Sequence, residues 1–149
     1  LDIRQRLEKN AGNSVIYLAV DTLEYLKKSG RVSASTATIA TVLNIKPVLV
    51  NMGDKFESFA KPRGMKNAKQ KIVDAVQDDL QNRLKHISYE KIRISTAGSF
   101  ETEEEAKEWQ NQIQTMFPEF KIRYDALSCS VVCHTGIGSA GLGISVIDR

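Results

Sequence analysis

The sequence predicts an α+β domain of two layers, with helices packed on a mixed sheet of about six strands. Three observations predict it. Six short segments are continuously apolar or alternate apolar with polar residues, as strands do. Longer stretches carry apolar residues at spacings of three and four, as amphipathic helices do. Capping and turn residues separate the two kinds of segment, and there is no internal repeat, low-complexity stretch or internal linker.

Residues 2–11 read as a short charged helix with Ile3 and Leu7 on one face, stopped near Gly12. The run Val15 to Val20 is continuously apolar, which predicts a strand buried on both sides. Asp21 and Glu24 have the spacing of a helix start, and Lys27, Lys28 and Gly30 mark its end. A second helix is expected from Ser33 or Ser35 to about Leu43. Pro47 to Val50 reads as a strand that turns at residues 51–54 into a partner through Phe56 and Phe59. From Met65 the spacing of Ala68, Ile72, Val76, Leu80 and Leu84 predicts one long helix. Ile92 and Ile94 alternate with Arg93 and Ser95 as a strand with one wet face. Thr102 and Glu105 form a capping box, and Glu103 and Glu104 favour the positive end of the helix dipole. That helix should bury Ala106, Trp109, Ile113 and Met116 until Pro118 stops it. Phe120, Ile122, Tyr124 and Ala126 alternate as another strand, and residues 143–147 form the last.

A chain of 149 residues, 42% hydrophobic and 26% charged, suits one domain with a substantial core. The net charge of +3 is spread along the chain, and no aromatic-plus-basic stripe appears, which argues against nucleic acid. No apolar run reaches the ~20 residues of a membrane span, and no signal peptide opens the chain. Two cysteines, Cys129 and Cys133, cannot make a disulfide framework, so reduced thiols and a cytoplasmic location are expected. The chain opens at Leu1 rather than methionine and is therefore expected to be a piece of a longer protein.

Near the C-terminus, Cys133-His134-Thr135-Gly136-Ile137-Gly138 concentrates the chemistry. Its glycines allow close backbone approach, and His134 and Thr135 can hydrogen-bond a carboxylate or phosphate. The glycines at 136, 138 and 141 also spell a dinucleotide fingerprint, but only eight residues follow Gly141, too few for the helix and acidic residue that motif needs. Cys129, Cys133 and His134 offer three clustered ligands with His86 far away in sequence, so no metal site is expected. A Cys133–His134 nucleophile pair is also disfavoured, since adjacent residues of a strand point to opposite faces. Arg31 stands between a helix end and a helix start, where it could complete an anion site or cap the preceding carbonyls. Lys61-Pro62-Arg63-Gly64-Met65-Lys66 is a basic loop, either a solvated turn or a dock for an anion or acidic partner.

Taken in order, residues 20–33, 43–47, 61–64 and 134–138 resemble the C-terminal half of the DegV family. These are bacterial fatty-acid-binding proteins that serve a fatty acid kinase. The resemblance implies a two-layer domain over residues 13–149, with residues 1–12 a helix leading in from a missing N-terminal domain. It implies a long-chain fatty acid as ligand, no cofactor, and no catalysis by the chain itself. A separate ATP-binding kinase subunit would convert the presented carboxyl group to an acyl phosphate. By motif, Arg31 would contact the acyl phosphate, His134, Thr135 and Gly136 would belong to the carboxyl site, and Arg63 would dock on the kinase. The family's serine and threonine that hold the carboxylate belong to the missing domain. Two positions depart from the pattern: Ile137 stands where proline is common, and Ser29 where glycine is. Two other functions compete: an enzyme acting on a phosphorylated small molecule through Arg31 and His134, and a regulatory interaction module with a vestigial pocket.

Overall fold

In a computed structural model, residues 2–32, 44–53 and 55–147 are described. The helix expected from Ser33 or Ser35 to Leu43 lies outside them. In chain order the elements are α1 (Asp2–Ala11), β1 (Val15–Ala19), α2 (Glu24–Lys28), β2 (Val48–Asn51) and β3 (Glu57–Ala60), followed by α3 (Met65–Asp78), β4 (Ile92–Gly98), α4 (Glu103–Met116), β5 (Arg123–Ala126), α5 (Cys129–Thr135) and β6 (Ala140–Val146). The fold is α+β with one mixed sheet of six strands in the order β3-β2-β1-β6-β4-β5. Only β4 and β5 run parallel, because α4 carries the chain back between them. All other neighbours are antiparallel.

The alternation of each strand divides the sheet into two faces. One face presents Val15, Tyr17, Val48, Ile92, Ile94, Leu142, Ile144 and Val146 to α3 and α4, whose Ile72, Val73, Val76, Trp109 and Ile113 complete the main core. Trp109 is fully buried, and its indole N–H donates to the carbonyl of Gly141 at 3.1 Å, fastening α4 to the central strand. The Lys69 ammonium lies 5.3 Å from the Trp109 ring and 5.0 Å from Phe100. Burial accordingly pulls its pKa below the ordinary lysine value. Thr102 caps α4 as expected, accepting from the Glu105 backbone at 3.2 Å, while the Glu105 carboxylate reaches back to the N–H of Glu101.

On the opposite face, Leu18, Val20, Leu23, Leu26, Val32 and Leu49 form a second, smaller cluster beneath α2. That cluster covers only part of the face. Ile16 lies beyond it and is half exposed, so β1 is not buried on both sides along its whole length as its composition predicts. Four further expectations are corrected. Met116 is exposed and Phe117 takes its place in the core, because the chain leaves the helix there. Hydrogen bonding in β5 begins only at Arg123, although Phe120 and Ile122 are buried ahead of it, and Ala126 is exposed. Residues 129–135 are helical. The final strand starts at Ala140 rather than 143.

The long helix loosens near its end. After Asp78 it widens into a single π turn, Asp79–Arg83, closed by the Leu84 N–H on the Asp79 carbonyl at 2.7 Å. The extra residue turns Asp79 inward while Leu80 and Leu84 remain in the core. There the Tyr17 hydroxyl donates to Asp79 Oδ2 at 2.9 Å, and Arg83 Nε pairs with Asp79 Oδ1 at 2.5 Å. Arg83 also donates to the Asn13 carbonyl at 3.1 Å, tying the turn before β1 to the helix. Burial first, then the Asp79 carboxylate, pushes the Tyr17 phenol well above its usual pKa.

Candidate functional site

A cleft of about 650 Å³ opens where α2 and α5 meet the turn between β2 and β3. It is lined by Leu26, Ser29, Gly30 and Arg31 from the end of α2, by Asn51, Lys55 and Phe56 from the strand turn, and by Ser130, Val131, His134 and Thr135 from α5. Leu26, Phe56 and Val131 make part of the wall apolar. Arg31 and Lys55 supply cations and His134 an imidazole, and no aspartate or glutamate lines the cleft among the described residues.

Each wall is held by local chemistry. At the end of α2 the Gly30 N–H bonds the Lys27 carbonyl at 3.2 Å and the Arg31 N–H bonds that of Leu26 at 3.0 Å. The last turn's carbonyls thus have backbone and Ser29 hydroxyl donors, which leaves the Arg31 side chain exposed instead of folded back as a cap. The strand turn is closed by the Asn51 side chain, whose Oδ1 accepts from the Gly53 N–H at 2.8 Å. A parallel bridge between Val32 and Phe56 then sews that turn to the segment after α2.

The third wall was not legible in the sequence as a helix. Helix α5 has no side-chain N-cap bond and is short, yet it places Ser130, Val131, His134 and Thr135 on one side by its three-to-four periodicity. Cys133 and His134 are therefore successive helical residues rather than strand neighbours, and both thiols are free and exposed. His134 is half-buried, and its Nδ1 is fully buried without a hydrogen-bond partner among the described residues. Thr135 lines the cleft but is 1% exposed, and its hydroxyl hydrogen is directed to the Gly136 carbonyl at 3.4 Å.

Gly136 does not line the cleft; it closes α5. Its φ of 77° and ψ of 176° belong to a region that only glycine occupies readily, and a Cβ there would come within 3.0 Å of the Tyr25 ring. Its carbonyl is the hub of a buried clamp. Ser99 Oγ donates to it at 2.7 Å and accepts from the Ser139 N–H at 3.1 Å, while Ser139 Oγ reaches the Thr135 carbonyl at 3.1 Å. Ser99 and Ser139 are thus supporting residues that sequence reasoning missed; no local pattern marks two serines that meet across the sheet. Gly138 leads directly into β6, so the glycine-rich run precedes a strand and not the helix of a dinucleotide site.

Arg63 lies away from this cleft, exposed at the start of α3. It forms an antiparallel bridge with Ile45, flanked by Lys46 N–H to Pro62 carbonyl at 2.9 Å and Gly64 N–H to Asn44 carbonyl at 3.0 Å. Lys46 in turn pairs with Asp21 at 2.6 Å, just ahead of α2. The basic loop is therefore fixed in place by its backbone, with the Arg63 guanidinium held outward.

The mixed sheet thus carries α3 and α4 on one face and, on the other, α2 and α5 around a cationic, partly apolar cleft. That is the arrangement of a class of α+β domain with room for a small ligand. Comparison narrows that class, since the DegV family, described as that of an uncharacterised protein, matches residues 1–146. This chain belongs to the DegV family. It is 31% identical over 139 residues to a DegV domain-containing protein of Clostridium perfringens, covering 93% of this chain and 45% of that protein. A DegV domain-containing protein of Listeria monocytogenes is 29% identical over 144 residues, covering 97% and 48% respectively. Among solved structures, DegV of Bacillus subtilis, a fatty acid binding protein, superposes with a TM-score of 0.75 at 25% identity over 97% of this chain and 49% of that one. A stearic acid-binding protein from Eubacterium ventriosum shares the fold with a TM-score of 0.81 at 19% identity, over 97% and 48%. The chain thus spans about half the length of the relatives it matches. Among the described residues, no helix is long and apolar enough to cross a membrane.

Proposed function

We propose that this domain binds a long-chain fatty acid with its carboxyl group at the Arg31–His134 cleft and presents that group to a separate ATP-binding kinase subunit. The observation that carries the reading is the meeting of Arg31, His134 and Thr135 in one cleft whose remaining wall includes Leu26, Phe56 and Val131. Residues from three distant parts of the chain converge there, polar groups beside apolar ones, as an amphiphile requires. That the Bacillus subtilis relative is a fatty acid binding protein supports the same ligand class. On this reading a carboxylate oxygen attacks the γ-phosphorus of ATP, the bond to ADP breaks, and an acyl phosphate forms with no proton transfer. The step asks no catalytic base of the domain. Arg31 meets the charge that develops on the transferred phosphoryl group, His134 hydrogen-bonds the carboxyl end, and Arg63 docks the kinase. The protein works in the cytoplasm, where Cys129 and Cys133 stay reduced.

Residues 1–12 lead in from an N-terminal domain that completes the headgroup site with two further hydroxyl donors. Their loss would weaken carboxylate binding by about 3–6 kcal/mol, at roughly 1.5–3 kcal/mol for each hydrogen bond to a charged group. Lipid extraction with mass spectrometry on the full-length protein and on this chain tests the reading. The full-length protein should carry a long-chain fatty acid and this chain little or none. In a coupled kinase assay, Arg31→Ala should reduce acyl phosphate formation far more than fatty acid binding. A full-length protein that carries no lipid and takes up none would overturn the reading.

A further inference from the structure

We propose that Lys55 acts with Arg31 to make this cleft selective for a doubly charged acyl phosphate over the singly charged fatty acid. The inference rests on the fatty-acid reading above and adds to it a residue and a direction of preference. Its basis is a long-range register. Val32 and Phe56 are partners in an isolated parallel bridge, so the residues just before them, Arg31 and Lys55, enter it from the same end. Both are exposed, and both line the same cleft.

Like charges that share one cleft repel. Here no aspartate or glutamate among the described lining residues offsets them, although Ser29, Asn51, Ser130 and Thr135 offer neutral polar groups. Two cations lining one cleft match an anion of charge near −2. A carboxylate brings −1, and a monosubstituted phosphate brings about −1.5 to −2 near neutral pH. The cleft is therefore better matched to the product of phosphorylation than to its precursor. Arginine supplies a planar fork for two phosphate oxygens, and lysine a compact charge on a flexible stem that can follow the group outward. A domain built this way would keep a labile acyl phosphate bound after the kinase has transferred the phosphoryl group.

The test compares two probes on the full-length protein: oleate, and a non-hydrolysable long-chain acyl phosphonate that carries the second charge. Isothermal titration on wild type, Lys55→Met and Lys55→Arg gives the ratio of the two affinities. Wild type should prefer the phosphonate, Lys55→Met should lower that preference about tenfold, the scale of one charge-assisted contact, and Lys55→Arg should restore most of it. The preference should also fall with added salt in wild type and less steeply in Lys55→Met. Equal losses for both probes, or an unchanged ratio, would overturn the role of Lys55 while leaving fatty acid binding intact. Failure of wild type to bind either probe would overturn the fatty-acid reading and this inference with it.

Discussion

Replacing Gly136 by alanine separates two costs that usually come mixed. The backbone cost follows from φ 77° and ψ 176°, which a residue with a Cβ adopts at about 1–3 kcal/mol. The steric cost follows from the 3.0 Å approach of the new methyl to the Tyr25 ring. That ring is 46% exposed and can swing toward solvent, so the contact adds about 1 kcal/mol, the low end of overpacking costs. Gly64 is an internal control. It has nearly the same conformation, φ 76° and ψ 150°, but a Cβ there meets nothing within 4 Å. Urea unfolding of this chain should therefore show Gly64→Ala destabilised by about 1–3 kcal/mol and Gly136→Ala by about 2–4. In a thermal scan the latter corresponds to a fall of roughly 5–15 °C for a domain of this size. Adding Tyr25→Ala should recover the difference between the two glycine variants and no more. If Gly136→Ala unfolds within about 0.5 kcal/mol of wild type, the glycine is not required at the end of α5 and the reasoning fails.

Two further outcomes follow from the structure. The phenol of Tyr17 is raised in the folded state, so folding favours its neutral form; this stability is complete below about pH 10, the unfolded value, and drains away as pH climbs above it. Tyr17→Phe should lose about 1–2 kcal/mol at pH 8 with its bond to Asp79, yet show a shallower alkaline decline than wild type, and parallel declines in denaturant titrations from pH 9 to 11.5 would refute this. Arg63→Ala should weaken association with the kinase subunit by about 2 kcal/mol while shifting unfolding by about 0.5 kcal/mol or less, measured by calorimetry and thermal melts; a large stability loss with unchanged association would make Arg63 structural.

Much of the architecture is legible in the sequence because it is periodic. The spacing from Met65 to Val76 marks α3, the alternation around Ile92 marks β4, and Thr102 with Glu105 marks the start of α4. What escapes is decided at long range or by one residue. Helix α5 is a single short stretch rich in β-branched residues, with no side-chain cap bond to announce it. The π turn at Asp79 continues an apolar spacing that reads as unbroken helix, and its purpose shows only when Tyr17 arrives from β1. Met116 and Phe117 are both apolar, and the last turn of α4 alone decides which is buried. In the cleft, Arg31, His134 and Thr135 stand out by motif, whereas Lys55 acquires meaning only through the Val32–Phe56 bridge and Ser99 only through the Gly136 carbonyl.

The position of β6 governs how the molecule can be made. The last of the six described strands is not at an edge but between β1 and β4, pairing Val15 with Ile144 at one side and Ile94 with the same residue at the other. Until residues 140–146 leave the ribosome, the β3-β2-β1 hairpin layer and the β4-β5 pair have no strand to join them. Each carries an open edge over an unfinished core. Pairing residues as distant in sequence as Val15 and Ile144 makes this closure slow. Deleting residues 140–146 would therefore remove a keystone rather than a fringe, and the Gly136 clamp, which leads into β6 through Ser139, would lose its anchor.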